Sequence, residues 1–285
     1  PGMPQTAAPE LLLDVEIESL QLALVRLAEV TGKSLGAVVK QNTRLIAWNL
    51  AHNTQPWGMT LAEKKLGEAA VARDVGKVFI SAQDMYKRLL IENEKLAKRW
   101  YKLVQGGGYA QALRLLQDNS KDPFRNTPVM DLLDPELHQR SRNSSRGRVS
   151  RHRPSAILPQ GKQIRDYIKN VVQPRVGFAK AGWITAGSQL GNIAKVPAWI
   201  TRHKGKAPGH AEDMSQRKPD PFCTLTNQVD YVSRILPEHA VADALRIQRE
   251  KMLKHIEHVT TAALKQTGFT SSTTTAPSEP LPMAA

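Results

Sequence analysis

The chain has 285 residues with 41% hydrophobic and 23% charged side chains, a composition close to globular usage that excludes a wholly disordered or fibrous chain. Lysine and arginine number 40 against 26 aspartates and glutamates, so the formal net charge of +14 favours polyanions or acidic proteins as partners. The single cysteine, Cys223, excludes an internal disulfide and a cysteine-based zinc site.

A membrane protein is not expected from this sequence. No apolar run approaches the roughly 18–20 residues that a membrane-spanning helix needs, and the first residues lack the pattern of a secretory signal. We therefore expect no membrane contact and a reducing compartment such as the cytosol.

The first third of the chain has the periodicity and capping residues of helices. Apolar residues recur at helical spacing up to Gly32, and Ser34 can cap a second helix. That helix should end shortly before Pro56, because proline disfavours helix at the residue before it. Thr60 and Glu63 have the spacing of a capping box and predict the start of a third helix.

A fourth helix is predicted from Ser81 or Asp84 through Leu103. The glycines at 106–108 should end it, because glycine is a poor helix former. A short helix over 109–116 follows.

Residues 119–160 have a different composition. They contain the turn formers Asp122-Pro123, Thr127-Pro128 and Asp134-Pro135, and an Arg/Ser-rich run at 140–153 with almost no apolar side chains. We expect this segment to be an extended basic arm or linker.

Helical character returns at residues 161–191, although Pro174 and several glycines interrupt the pattern. These glycines are Gly177, Gly182 and Gly187. Residues 222–232 are the best strand candidate, because they are rich in side chains that favour extended structure. Pro237 suits the first turn of a long helix that ends near Thr267.

The predicted fold class is α+β, with a helix-rich N-terminal part and a small, mostly antiparallel sheet packed against a long C-terminal helix. We divide the chain into four parts. They are a helical region (1–118), an extended basic arm or linker (119–160), an α+β region (161–268) and a flexible tail (269–285).

The excess positive charge is confined to one quarter of the chain. Residues 137–211 hold fifteen basic residues and a single acid, Asp166, whereas the remaining residues carry 25 charges of each sign. Such a block attracts phosphates or an acidic protein surface, with an affinity that falls as salt rises. A solvated loop whose charge is incidental remains an alternative.

Arginines dominate the most basic part of this block. Their fork-shaped guanidinium groups suit phosphate or carboxylate, although they could instead pair with helices of the same chain. The candidate contacts to DNA or a partner are Arg140, Arg142, Arg146, Arg148, Arg151 and Arg153. Trp183 and Trp199 flank a glycine-rich stretch and are interpreted as core or subunit-interface anchors, and Arg202 joins them as an interface candidate.

No motif in the sequence predicts catalysis. The glycines at 106–108 follow no strand and precede no Gly-Lys-Ser/Thr, so they do not form a phosphate-binding loop. His255 and His258 lie one helical turn apart without an evident third metal ligand. Ser188 lacks the GxSxG environment of a hydrolase nucleophile. We predict no enzymatic activity, no cofactor and no metal, although an enzyme with a dispersed site remains a hypothesis.

Three local patterns together resemble the virion proteins of the head–tail joining region of long-tailed bacteriophages. They are QNTRLIAWNLA at 41–51 running into TQPWG at 54–58, VGFAKAGW at 176–183 followed by VPAWITRH at 196–203, and TLTNQVDY at 224–231. The resemblance covers about half of the chain, roughly residues 35–60 and 145–265.

The resemblance implies a non-enzymatic structural protein of the tail-completion, neck or minor tail type, assembled as a homo-oligomeric ring. Its partners would be further copies of itself and neighbouring portal, adaptor or tail proteins. The basic stretch 138–153 would reach either an adjacent subunit or the packaged DNA. Its location would be the virion, after assembly in the host cytoplasm. The alternative hypothesis is a basic nucleic-acid-binding protein that contacts phosphates through residues 137–211.

Overall fold

The structure is a computed structural model, which describes residues 9–142, 149, 154–193, 195–236 and 239–266, with the backbone alone for 9–16. Helices dominate the described chain and two small sheets accompany them, which confirms the predicted α+β class.

The helices are α1 (Pro9–Thr31), α2 (Leu35–Asn53), α3 (Leu61–Gly76), α4 (Ala82–Glu92), α5 (Glu94–Gln105), α6 (Tyr109–Asn119), α7 (Pro135–Arg140), α8 (Gly161–Tyr167), α9 (Phe178–Gln189), α10 (Ala198–Thr201), α11 (Val232–Ile235) and α12 (Ala240–Gln266). The strands are β1 (Phe79–Ser81), β2 (Ala156–Leu158), β3 (Gly209–Met214) and β4 (Phe222–Asn227). A π-helical turn (Ile168–Val172) and a 3-10 turn (Gln173–Arg175) continue α8.

The helix starts predicted in the first third of the chain are confirmed. Ser34 Oγ accepts a hydrogen bond from the backbone N–H of Ala37 and caps α2. Thr60 and Glu63 form the capping box of α3. These caps act over three residues, which is why the sequence pattern alone locates them.

The predicted fourth helix is two helices, because Asn93 interrupts it. Asn93 has an extended backbone, and its Oδ1 accepts a hydrogen bond from Leu96 N at 3.1 Å, so it caps α5. Helices α4, α5 and α6 enclose a core of their own around the fully buried indole of Trp100.

Two glycines of α9 allow close packing instead of interrupting the helix: Gly182 lies against the β3–β4 sheet, and Gly187 lies against Ala47 of α2. Helix α9 runs through Gly182 and Gly187, so the predicted breaks at these two positions are wrong. A Cβ at Gly209 in β3 would overlap the backbone carbonyl of Gly182, and a Cβ at Gly182 would overlap the Asn227 side chain. Only glycine permits this close approach of β3 and β4 to α9. Gly177, with φ +94°, does interrupt the helical run as predicted, because it lies between the 3-10 turn and the start of α9.

The antiparallel hairpin pairs β3 with β4 from Gly209↔Asn227 to Met214↔Phe222. It packs mainly against α9 and α2, whereas α12 packs mainly against α1 and α2. Strand β4 lies within the predicted segment 222–232, but β3 and the three-residue parallel pair β1–β2 have no counterpart among the predicted elements.

The expectation of an extended arm at residues 119–160 needs correction. Pro135–Arg140 form α7, and Phe124 is buried in the core of α4, α5 and α6. All of β2 is buried, in parallel register with β1. An apolar segment of three residues is too short to give a periodic signal, and a distant strand supplies its hydrogen bonds. The predicted tail at 269–285 and the helix start at Pro237 lie outside the described residues.

Candidate functional site

The arginines predicted as contacts divide into two groups. Arg146, Arg148, Arg151 and Arg153 lie outside the described residues. Arg140 ends α7 on the surface, with its Nη2 3.2 Å from Asp134 Oδ2, the residue that caps the same helix. Arg140 therefore pairs within its own helix, the alternative left open for these arginines.

Arg142 lies beside a buried polar pair. His138 Nδ1 is 3.1 Å from Tyr167 Oη, and both side chains are buried. Burial, assisted by the positive charge of Arg142, lowers the pKa of His138 to about 4, so the imidazole is neutral at pH 7. Arg142 Nε is buried and has no hydrogen-bond partner among the described residues.

Arg142 and Arg175 both influence the pKa of the same two tyrosines, Tyr167 and Tyr231. Burial raises the pKa of Tyr167 and of Tyr231, and the positive charges of Arg142 and Arg175 oppose the rise at both hydroxyls. Arg142, which follows α7, and Arg175, which ends the 3-10 turn, therefore lie within electrostatic range of the same two hydroxyls, although they are distant in sequence.

The turn that follows α10 adds further cations to this side of the molecule. Arg202 Nη2 donates to the backbone carbonyls of Pro174 at 2.9 Å and Val176 at 3.3 Å, which fixes the turn beside Arg175. Gly205, with φ +79°, allows the chain to reverse. We name the exposed cations Arg175, Arg202, Lys204 and Lys206 the basic face.

None of the four cations of the basic face has an ion pair with another residue in the described ranges. His203, beside them, has a lowered pKa because burial disfavours its charged form, and Arg202 and Lys206 add to the effect. The basic face is thus an electropositive surface that the rest of the described chain leaves uncompensated.

The two tryptophans predicted as interface candidates are core residues. Trp183 is 8% exposed and Trp199 is 4% exposed, and both lie in the central core between α2, α9 and α10. Trp199 Nε1 donates to Met59 O at 3.2 Å. Burial within the chain removes both indoles from the surface, so the structure selects the core interpretation and corrects the interface one. Arg202 remains exposed.

Lys180 belongs to the basic block in sequence but lies in the core. It is fully buried, and its Nζ donates to the carbonyls of Ala51 at 2.7 Å, Thr54 at 2.5 Å and His52 at 3.4 Å. These carbonyls lie at the C-terminal end of α2, where helical acceptors lack partners. Burial lowers the pKa of Lys180 to about 7.

Apart from the basic face, the described residues form a small pocket that could bind a ligand. A pocket of about 220 Å³ between the end of α2 and the start of α12 is lined by His52, Asn53, Trp57, His239, Ala240 and Asp243. No group of three or more potential metal ligands occurs within the described residues. In the same part of the chain, no helix is both long and apolar enough to cross a membrane.

Sequence reasoning did not single out three members of the basic face. Arg202, Lys204 and Lys206 occupy every second position, and Gly205 lies between the two lysines. This pattern could have predicted an exposed basic turn. Arg175 had no such signal, because its position depends on the packing of the 3-10 turn against the segment after α10.

Comparison with known proteins provides no relative for this chain. No protein-family model matches it, and no curated protein or solved structure is significantly similar to it.

Proposed function

We propose that this chain is a non-enzymatic structural protein of a tailed-bacteriophage virion. In this proposal it forms part of the head–tail connection, of the neck or tail-completion type, and acts by ring assembly and by docking to neighbouring portal, adaptor or tail proteins.

The observation that carries the proposal is the uncompensated basic face. Its four cations are exposed and have no ion pair within the described chain, so they are available to acidic groups of another molecule. A protein that assembles with neighbours has this property, since its surfaces are completed only in the assembly.

The sequence patterns support the same proposal. The resemblance to head–tail joining proteins includes VPAWITRH at 196–203, which contains α10 and Arg202. The segment that carries the resemblance thus also builds part of the basic face.

The experiment is mass spectrometry of purified particles from a phage that encodes the chain. We expect a fixed number of copies per particle, and unjoined heads and tails when the gene is deleted. Complementation of the deletion with the intact gene is the matched control. Particles that contain none of the protein would contradict the proposal.

The second candidate function is nucleic-acid binding through residues 137–211, which the same unpaired cations favour. Binding to unrelated DNA duplexes should then weaken steeply with salt, and each lost phosphate contact should reduce the slope of log affinity against log salt by about one. The triple variant Arg175→Ser, Lys204→Ser and Lys206→Ser should make this salt dependence less steep. An unchanged slope would exclude this use of the basic face.

A further inference from the structure

Helix α1 carries a charge opposite to that of the basic face. Its 23 residues include five acids and one base, Arg26, a net charge of −4. Its buried side chains, among them Leu20 and Leu27, pack with Met252 and Ile256 of α12. This packing covers one side of the helix.

The uncovered side of α1 combines acidic and apolar side chains. Glu18, Leu22, Val25 and Glu29 follow the spacing of one helical stripe, and all four are exposed, Leu22 by 73% and Val25 by 44%. Neither carboxylate has an ion pair with another residue of the described ranges. We name these four residues the acidic face.

We propose that the acidic face of one copy docks on the basic face of a second copy of this chain. The two faces are complementary in charge, because each lacks an ion pair in its own described chain and the two have opposite signs. This inference rests on the proposed function, of which ring assembly is a part, and it names the two surfaces that meet.

The proposed contact joins two different surfaces, so it is heterologous. Such a contact leaves a free face at each end of a dimer, and repetition closes a ring where the rotation between copies permits. Exposed ion pairs contribute little affinity, so burial of Leu22 and Val25 supplies most of it, and the charges select the partner and accelerate association.

A charge exchange between the faces tests the proposal. One variant carries Glu18→Lys and Glu29→Lys. The other carries Arg175→Glu, Lys204→Glu and Lys206→Glu, and it keeps Arg202 because that side chain bonds the Pro174 and Val176 carbonyls. The matched control replaces three exposed cations of α5 with glutamate, which reverses the same number of charges outside both faces. These are Lys95, Arg99 and Lys102.

Sedimentation velocity of the full chain at low salt measures the outcome, and circular dichroism checks that each variant is folded. We expect concentration-dependent association of the original protein and of the α5 control, and monomers for each face variant alone. An equimolar mixture of the two face variants should associate again, because each reversed face then meets its complement.

Three results would overturn the proposal: a monomeric original protein at every concentration, face variants that associate like the original, or a mixture that stays monomeric. Loss of DNA binding in the basic-face variant with intact self-association would likewise overturn it and assign that face to a polyanion. Presence in purified particles is measured independently. A protein found in particles that fails the exchange therefore refutes only the docking, and one that passes the exchange but is absent from particles refutes only the phage function.

Discussion

Lys180 illustrates how packing decides the role of a single charge. It is one of the fifteen basic residues of 137–211, yet its ammonium group lies in the core against the end of α2. Three carbonyl acceptors satisfy the ammonium donors, while the loss of water disfavours the charged form. The result is a pKa of about 7, well below the usual value near 10.5.

Stability should therefore depend on pH through Lys180. Above pH 7 the folded protein has released a proton that the unfolded chain retains up to about pH 10, so the free energy of unfolding rises with pH in this window. We expect a rise of up to about 1.4 kcal/mol per pH unit between about pH 7 and 9. Lys180→Met should lack this rise.

Urea unfolding at several pH values measures the effect. Lys95→Met is the matched control, because Lys95 is exposed on α5, outside both faces, and its loss should leave the slope as in the original protein. Equal slopes in the two variants would show that Lys180 does not titrate in this window.

At the scale of the element, α12 shows where periodicity succeeds and where it fails. Met252 and Ile256 lie one helical turn apart, and both are buried, as the apolar periodicity of an amphipathic helix requires. Gln248 is buried on the same side, although its polarity argued for the surface. Gln248 Nε2 donates to Asn42 Oδ1 at 2.7 Å, and Asn49 Nδ2 donates to Gln248 Oε1 at 3.4 Å, so α2 supplies both partners. A helical pattern cannot reveal this, because the partners lie about two hundred residues away.

Two substitutions in α12 should differ sharply in their cost. Ile256 is 4% exposed and packs with α1, so Ile256→Ala should lower the free energy of unfolding by about 2–5 kcal/mol. Leu253, its neighbour on the helix, is 44% exposed, and Leu253→Ala should cost well under half as much. Chemical denaturation of both variants measures the difference. Similar costs would mean that α12 turns another side toward α1.

At the scale of the whole molecule, the two ends of the chain depend on each other. Helix α12 covers the buried side of α1, including Leu20 and Leu27, and Arg249 Nη1 donates to Ser19 Oγ at 2.9 Å. The core of α4, α5 and α6 is separate from this contact. Removal of α12 should therefore expose one cluster while leaving the other buried.

Two truncations test this dependence. A chain that stops after Gln248 loses Met252 and Ile256 and should be insoluble or unfolded around α1. A chain that stops after Gly268 keeps all of α12 and should melt like the intact protein. Thermal melting followed by circular dichroism compares them. Unchanged melting of the shorter chain would identify α12 as a peripheral docking element.

The sequence by itself determined the features that arise within a few residues or from composition. Ser34, Thr60 and Glu63 located helix starts because a cap bonds an N–H two or three residues away. Net charge and its confinement to 137–211 follow from counting, and the α+β class followed from the helical periodicity together with one strand candidate.

Only the tertiary structure decided which cations form a surface and which strands pair. Lys180 and Lys204 belong to the same basic block, yet one is enclosed by α2 and the other extends from a turn. Strand β2 is three residues long and exists because β1, more than seventy residues earlier, supplies its hydrogen bonds. Burial and strand pairing depend on contacts between segments that are distant in sequence. A sequence pattern depends only on residues that are close together in the chain.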